Sequence, residues 1–220
     1  MKKNQQTALV LLSGGQDSTT CLAWAKKKFG KICAITFDYG QRHKIEIASA
    51  KKIADKTKIP LLIYKTDIFK KFTQNALTNK NIKIKILKNK LTSTFVPGRN
   101  LIFLSIAAIY AYQLGISNLI TGVCQTDYSG YPDCRDKFIK SLEKSINLAM
   151  ETKFKIHTPL MWLTKAQTIK LMQQLGQIEL LKSTHTCYKG LSPACGTCPA
   201  CKLRLKGFKE AGIKDPLKYQ

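Results

Sequence analysis

A short apolar run followed at once by a glycine turn is the feature near the N-terminus that most constrains the fold. Residues 8–12 are consecutive apolar residues, which is typical of a buried parallel strand. Residues 13–18 read Ser-Gly-Gly-Gln-Asp-Ser and interrupt the run, and a helix is predicted over 18–28. A strand, a glycine loop and a helix in this order aim backbone N–H groups and the positive end of the helix at the loop, where phosphate binds well.

Strand-like and helix-like segments alternate along most of the chain. Short runs rich in Ile, Leu and Val have the length of strands, and longer segments carry apolar residues at helical spacing. This alternation predicts right-handed crossovers and an α/β fold with a parallel sheet. The predicted strands are 8–12, 32–37, 60–64, 118–121 and 154–158, and the predicted helices are 18–28, 44–57, 101–114, 135–150 and 164–175, the last with capping-box spacing.

Two regions depart from the alternation. Residues 69–95 are rich in Lys, Asn and Thr, and we expect them to form an exposed insertion. Residues 185–220 contain a cluster of cysteines and are the candidate appendage. We therefore predict an α/β domain over 1–184 and a small C-terminal segment over 185–220, in keeping with a length of 220 residues.

Composition excludes several classes of protein. With 44% hydrophobic and 23% charged residues, the chain is neither disordered nor fibrous. Its longest apolar run, 101–112, is interrupted by a serine and is well short of the ~20 residues that cross a membrane. The run 8–12 is too short for the apolar part of a signal peptide, so we expect a cytoplasmic protein with no membrane partner.

The net charge of +24 has two interpretations. A basic surface attracts nucleic acid through its phosphates. However, four of the 37 basic residues are arginines and the chain also holds 22 isoleucines, which indicates a general drift toward Lys and Ile. We favour lysines spread over solvated faces and expect no nucleic-acid partner. Each arginine then becomes informative.

Four of the eight cysteines fall within fifteen residues, at Cys187, Cys195, Cys198 and Cys201. Four thiolates at this spacing can surround one Zn²⁺ tetrahedrally, and the neighbouring Gly and Pro residues supply the turns. An Fe–S cluster is the alternative, because the last three cysteines are each separated by two residues. We favour zinc in a structural role, since four cysteines leave no open coordination position.

Polar residues also follow other predicted strands, where open α/β sheets place ligand contacts. Gln41 and Arg42 lie after the second strand, although an ordinary capped turn would explain them equally well. Arg99 precedes a strongly apolar helix and is suited to a phosphate or carboxylate, or else is a surface cap. Lys165 opens a later helix and can reach phosphate, but lysines are abundant here.

Residues 122–135 form the densest polar and aromatic stretch. Tyr128 and Tyr131 offer faces for a planar heterocycle, and Asp127 or Asp133 can accept two N–H donors from a guanine-like edge. Arg135 can hold a carboxylate. The alternative is a structured loop at a subunit interface, and we favour a substrate site.

The loop 13–18 resembles the pyrophosphate loop of ATP-pyrophosphatases. A carboxylate such as that of Asp17 repels phosphate, so Asp17 either binds a divalent cation that bridges it to the phosphates or caps the helix. Together with the other motifs, nearly the whole chain resembles the 7-cyano-7-deazaguanine synthase family, least so across 70–94. The resemblance implies an adenine-nucleotide α-hydrolase-like fold, ATP with Mg²⁺, one Zn²⁺ on the four cysteines and a homodimer. It also implies that 7-carboxy-7-deazaguanine and ammonia become 7-cyano-7-deazaguanine.

The resemblance gives roles to individual residues. Asp17, Arg99 and Lys165 are the expected catalytic residues. The expected ATP-binding residues are Leu12, Ser13, Gly14, Gly15, Gln16, Asp17, Ser18, Thr19, Thr20, Cys21 and Leu22. The expected substrate-binding residues are Gln41, Arg42, Asp127, Tyr128, Tyr131, Asp133 and Arg135.

Two other functions remain open at this point. One is a related pyrophosphate-loop enzyme that modifies tRNA by thiolation or lysidine-type ligation, and the other is a zinc module that binds nucleic acid. The first would need an RNA-binding extension, and the second would not need the loop 13–18. Cys124 and Cys134 flank the proposed substrate loop and have no histidine nearby in sequence, which argues against a glutaminase centre. We therefore expect free ammonia as the nitrogen donor.

Overall fold

A parallel sheet of five strands in the order β3-β2-β1-β4-β5 forms the centre of the computed structural model. The structure describes residues 4–41, 44–73, 75–78, 82, 93–126 and 131–220. The strands are β1 (Asn4–Leu11), β2 (Phe29–Asp38), β3 (Leu61–Lys65), β4 (Asn118–Ile120) and β5 (Lys155–His157). All five predicted strands are present and every pairing is parallel, so the predicted fold class is confirmed.

Helices cover both faces of the sheet. They are α1 (Gln16–Lys28), α2 (Ile45–Thr57), α3 (Ile68–Phe72), α4 (Arg99–Gln113), α5 (Asp136–Met150), α6 (Lys165–Gln174) and α7 (Pro199–Ala211). The sequence predicted five of them to within about two residues at each end. It missed α3, which lies at the start of the predicted insertion, and α7. Within the described residues, no helix is both long and apolar enough to cross a membrane.

The core has two halves, because alternate residues of a strand point to opposite faces. Ala8 and Val10 of β1 pack with the apolar sides of α1 and α2. Leu9 faces the other way and joins a larger cluster with residues of α4 and α5. The apolar α4 and the amphipathic α5 thus supply most of the second half.

The strand order reverses beside β1. From β1 the chain moves to β2 and β3 on one side, and it later returns to β4 and β5 on the other. The loops that follow β1 and β4 therefore diverge and leave a crevice at the carboxyl ends of these strands, where ligands bind in open α/β sheets.

The C-terminal segment packs closely on the α/β core. Phe208 of α7 lies with Ile169 and Met172 of α6 in a small apolar cluster. Arg204 is 1% exposed and donates two hydrogen bonds to Asp215, at 2.8 and 2.9 Å. Because this ion pair is buried and doubly hydrogen-bonded, it fixes the chain end against α7. The domain boundary at 184/185 stays a prediction.

Candidate active site

A cavity of about 350 Å³ opens at the carboxyl ends of the strands, a volume typical of small-ligand sites. One wall consists of the loop 13–18 and Lys165. The other contains residues from the ends of β2 and α4 and from the first turn of α2, and the C-terminal segment closes the rim with Thr186 and Tyr188. Residues far apart in sequence therefore share one space.

Hydrogen bonds close the loop into a tight ring. The hydroxyl oxygens of Ser13 and Ser18 lie 3.0 Å apart, and Ser18 also accepts from the backbone N–H of Ser13 at 3.2 Å. Ser18 in turn donates to the carbonyl of Gly15 at 3.1 Å. No side chain of the described residues caps α1 after Gly15, so the positive end of the helix is left to face the cavity.

Gly14 is required for two reasons. Its φ of +84° is a conformation that favours glycine. In addition, a Cβ at this position would collide with the carbonyl oxygen of Glu46 and lie 2.7 Å from the backbone nitrogen of Ala50. The loop is thus docked against the backbone of α2. On the other side, the N–H of His185 donates to the carbonyl of Gly14 at 2.9 Å.

Asp17 and Lys165 form an ion pair at the mouth of the loop. The Nζ atom of Lys165 lies 3.0 and 2.8 Å from the two carboxylate oxygens of Asp17. Lys165 stands at the start of α6 behind a capping box of Thr164 and Gln167, which confirms the predicted spacing. In this structure the ammonium group of Lys165 therefore neutralises the carboxylate of Asp17, for which we expected a metal ion as the partner.

Gln16 brings an unsatisfied donor to the same wall. Its side chain is 4% exposed and lines the cavity. Among the described residues, its Nε2 atom has no hydrogen-bond partner. A buried amide without a partner costs about 1–3 kcal/mol, so this N–H group is suited to an acceptor brought by a ligand.

Arg99, Tyr39 and Glu46 share the opposite wall. Burial opposes the charge on Arg99, but Tyr39 and Asp133 outweigh it, and the pKa of Arg99 is raised. Burial raises the pKa of Glu46 to about 7, although the charge of Arg99 acts in the opposite direction. This wall thus combines a firmly charged donor with a carboxyl group that titrates near neutrality.

Several of the expected substrate-binding residues make hydrogen bonds within the protein itself. The amide of buried Gln41 accepts from the N–H of Tyr39 and donates to the carbonyl of Phe37, while the residue lines the cavity. Tyr131 also lines it, and its hydroxyl lies 3.0 Å from that of Thr94. Asp133 accepts from the N–H of Asn100 at 3.0 Å and thereby caps α4.

The remaining expected contacts divide into three groups. Arg135 is exposed, precedes α5 and is outside the cavity lining. Thr19, Thr20, Cys21 and Leu22 are buried in α1 beneath the loop, whereas Leu12 and Gly15 reach the lining. Arg42, Asp127 and Tyr128 lie outside the described residues. The roles of all of them stay predictions.

Sequence reasoning missed three residues that shape the cavity. Glu46 lies five residues after Gln41 and carries no signature of its own. Tyr188 lies between two cysteines of the quartet, which drew attention to metal binding alone. His185, whose N–H reaches Gly14, also places its Nε2 atom 3.1 Å from the carbonyl of Cys187. Such contacts between distant segments leave no pattern in the sequence.

The four cysteines come together as the spacing predicted. All four are buried, and their sulfur atoms lie within 4.8 Å of one another. Tetrahedral zinc with Zn–S bonds of about 2.3 Å needs sulfur atoms roughly 3.8 Å apart. The donor set and its geometry therefore fit one Zn²⁺, and the fourth ligand closes the coordination sphere.

Comparison with known families decides between the remaining interpretations. Residues 7–212 match the family described as Queuosine biosynthesis protein QueC. The chain belongs to this family. The match spans the loop, both walls of the cavity and the cysteine quartet, so membership covers every part of the site.

Similar proteins carry the name that the sequence suggested. A 7-cyano-7-deazaguanine synthase of Bacillus subtilis (strain 168) is 53% identical over 212 residues, 96% of either chain. One of Lysinibacillus sphaericus (strain C3-41) is 54% identical over 209 residues, 94% of this chain and 95% of the relative. Among solved structures, a 4-thiouridine synthetase–RNA complex with bound ATP has a TM-score of 0.52 at 18% identity. It covers 94% of this chain, which spans half of its length, and shows the shared fold alone.

Proposed function

We propose that this chain converts 7-carboxy-7-deazaguanine and ammonia into 7-cyano-7-deazaguanine in queuosine precursor biosynthesis, with consumption of ATP. Family membership and the names of the relatives support this activity. The observation that carries it furthest is the single cavity that joins the phosphate loop to a wall with Arg99 and aromatic rings. A nucleotide and a planar base can meet there.

The chemistry requires an activated oxygen, because a carboxylate is a poor electrophile. Its oxygen attacks the α-phosphorus of ATP, the bond to pyrophosphate breaks, and an acyl-adenylate forms. Ammonia then adds to the acyl carbon, loses a proton and displaces AMP to leave the amide. A second ATP activates the amide oxygen in the same way. The nitrogen then loses both of its protons, AMP leaves with the former amide oxygen, and the nitrile forms.

The loop wall is suited to stabilise the departing pyrophosphate. The N-terminus of α1, the Nε2 atom of Gln16 and the ammonium of Lys165 all present positive charge or N–H groups to one region. Charge stabilisation of this kind is usually the largest catalytic contribution. Asp17 holds Lys165 in place and is the carboxylate at the loop that suits a Mg²⁺ brought by the nucleotide.

Zinc bound to the four cysteines would have a structural role. His185 and Tyr188 flank Cys187, so an ordered quartet fixes one contact to the loop and one part of the rim. Elemental analysis should find one zinc per chain. Iron in anaerobically purified protein would favour the Fe–S alternative instead.

We also infer a cytoplasmic homodimer. A cytoplasmic location suits an ATP-consuming reaction and keeps the thiols reduced. The outer face of α4 exposes large apolar side chains one or two turns apart, at Leu101, Ile109 and Tyr112. Such a stripe is typical of a protein interface, and a second copy of the chain is the proposed partner. Light scattering after size-exclusion chromatography should give twice the 24.7 kDa of the chain.

The direct test is incubation of the purified protein with ATP, Mg²⁺, ammonium and 7-carboxy-7-deazaguanine, followed by mass spectrometry of the base. We expect the nitrile with ammonium and none with glutamine alone. A filter-binding assay with tRNA at physiological salt should show no retention. No conversion of the base together with tight tRNA binding would contradict the proposal and favour a tRNA-modifying enzyme.

A further inference from the structure

We propose that Glu46, with Arg99 beside it, reads the pairing edge of the deazaguanine base. The proposal rests on the function proposed above and adds the residue that selects the base. A guanine-like edge presents an acceptor, O6, next to two donors, the ring N1–H and the exocyclic 2-amino group. Its complement is a donor next to a carboxylate, because both oxygens of a carboxylate can accept at once.

Arg99 and Glu46 provide this pair on one wall of the cavity. Both line it, and the charge of Arg99 opposes the rise in the pKa of the Glu46 carboxyl group. Aromatic side chains of Phe37, Phe103 and Tyr131 line the same cavity and can cover the faces of a planar ring. The wall therefore offers polar recognition at an edge and apolar contact over the faces.

Among the described residues, Asp17 is the other acidic side chain that lines the cavity. It already binds Lys165 through both of its oxygens. Within the described residues, no hydrogen bond or ion pair of the Glu46 carboxyl group is found. It is thus the described carboxyl group of the lining that is left for a ligand.

The backbone fixes the position of Glu46 relative to the phosphate loop. Its carbonyl oxygen sits against Gly14 so closely that a Cβ there would collide with it. A base held by the side chain of Glu46 is therefore held at a fixed distance from the loop that binds ATP. The carboxylate oxygen of the base can attack the α-phosphorus of ATP only when the two ligands are held close together, and this docking would hold them so.

The protonation behaviour agrees with this role. Burial raises the pKa of Glu46 to about 7, because removal from water disfavours the charged carboxylate. Two N–H donors from a base would stabilise the charged form, and binding should draw the pKa back down.

The test compares two ligands, 7-carboxy-7-deazaguanine and the same compound without its 2-amino group, by kcat/KM and by calorimetric Kd. The wild-type chain should prefer the amino compound by about 10- to 100-fold, the effect of an unpaired acceptor at a polar site. Glu46→Gln should reduce the preference below about threefold, because its amide N–H₂ faces the amino group. Glu179→Gln is the matched control, since that carboxylate is exposed and pairs with Lys182.

The outcomes separate this inference from the function on which it rests. A wild-type chain that converts the base, with a Glu46→Gln variant that keeps the full preference, overturns the role of Glu46 and leaves the function intact. A wild-type chain that converts neither compound contradicts the function itself. ATP affinity within threefold of wild type verifies that the variant is folded. If it is not, Glu46→Asp replaces it, and the shorter acid should also lower the preference.

Discussion

The two walls of the cavity are built in different ways. The loop wall is local in sequence, since residues 13–18 supply a closed ring of hydroxyl and backbone groups at the start of α1. The opposite wall is assembled from the end of β2, the first turn of α2, the start of α4 and the C-terminal segment. Changes in the loop should therefore impair every step, whereas changes in the opposite wall should alter selectivity while the fold survives.

Gly14→Ala should have the largest effect, because it disrupts the contact between the loop 13–18 and the backbone of α2. The positive φ and the collision with the backbone of α2 both oppose a Cβ, and neither can relax through a side chain. We expect loss of measurable turnover and a fall of at least about 2 kcal/mol in the free energy of unfolding, measured in urea.

Gly115→Ala is the matched control for that change. Its φ of +65° is similar, but its Cβ would meet no atom within 4 Å. It should cost only about 1 kcal/mol. Equal losses in the two variants would show that the loop is not docked on α2.

Asp17→Asn should come next, with a fold that remains intact and turnover reduced by at least ~100-fold, the scale of removing an electrostatic catalytic group. Lys165→Met should behave similarly, because both changes break one ion pair. The double variant should lose little more than either single variant. Near-wild-type turnover of Asp17→Asn at saturating Mg²⁺ would reduce Asp17 to a structural residue of α1.

Gln16→Leu should weaken ATP binding by about tenfold in calorimetry, because the ligand loses one donor. The stability of the ligand-free chain should not fall, since the Nε2 atom has no partner to lose among the described residues. Thr20→Val is the comparison within α1, because that hydroxyl bonds the carbonyl of Gln16 away from the cavity lining. Unchanged ATP affinity for Gln16→Leu would exclude the amide from the nucleotide site.

Glu46→Gln should leave the fold intact, and its effect on the stability of the ligand-free chain should depend on pH. Because burial raises the folded pKa to about 7, the folded chain holds this proton more tightly than the unfolded chain. The group's stabilisation is complete below about pH 4.5 and is lost as pH rises through 7. Relative to wild type, the variant should gain stability between pH 5 and 8, by at most about 3 kcal/mol before allowance for solvent.

Urea unfolding at the two pH values measures this difference. Arg99, Tyr39 and Tyr188 face the same carboxyl group and are unchanged in the variant. A stability difference that is the same at pH 5 and pH 8 would contradict a raised pKa at Glu46.

The sequence predicted the sheet, the loop and the cysteine quartet because each depends on local pattern. Apolar runs of strand length, Ser-Gly-Gly-x-Asp-Ser and Cys-x₂-Cys are contiguous features with a physical reason for their spacing. Helix α7 was missed because its positions overlap the cysteines and are interpreted more readily as metal ligands. Glu46, Tyr188 and the pairing of Asp17 with Lys165, 148 residues apart, arise only when distant segments meet.

The most direct test of carboxylate activation by ATP traces the carboxylate oxygens of the substrate into the nucleotide products. The substrate is made with both carboxylate oxygens as ¹⁸O and converted with ammonium, and the nucleotide products are weighed by mass spectrometry. Nucleotidyl transfer to the substrate oxygen, once for the acid and once for the amide, predicts two AMP molecules per nitrile, each heavier by one ¹⁸O. Nitrile formation with unlabelled AMP would show that the oxygens leave by another route and would contradict the proposed chemistry at the loop.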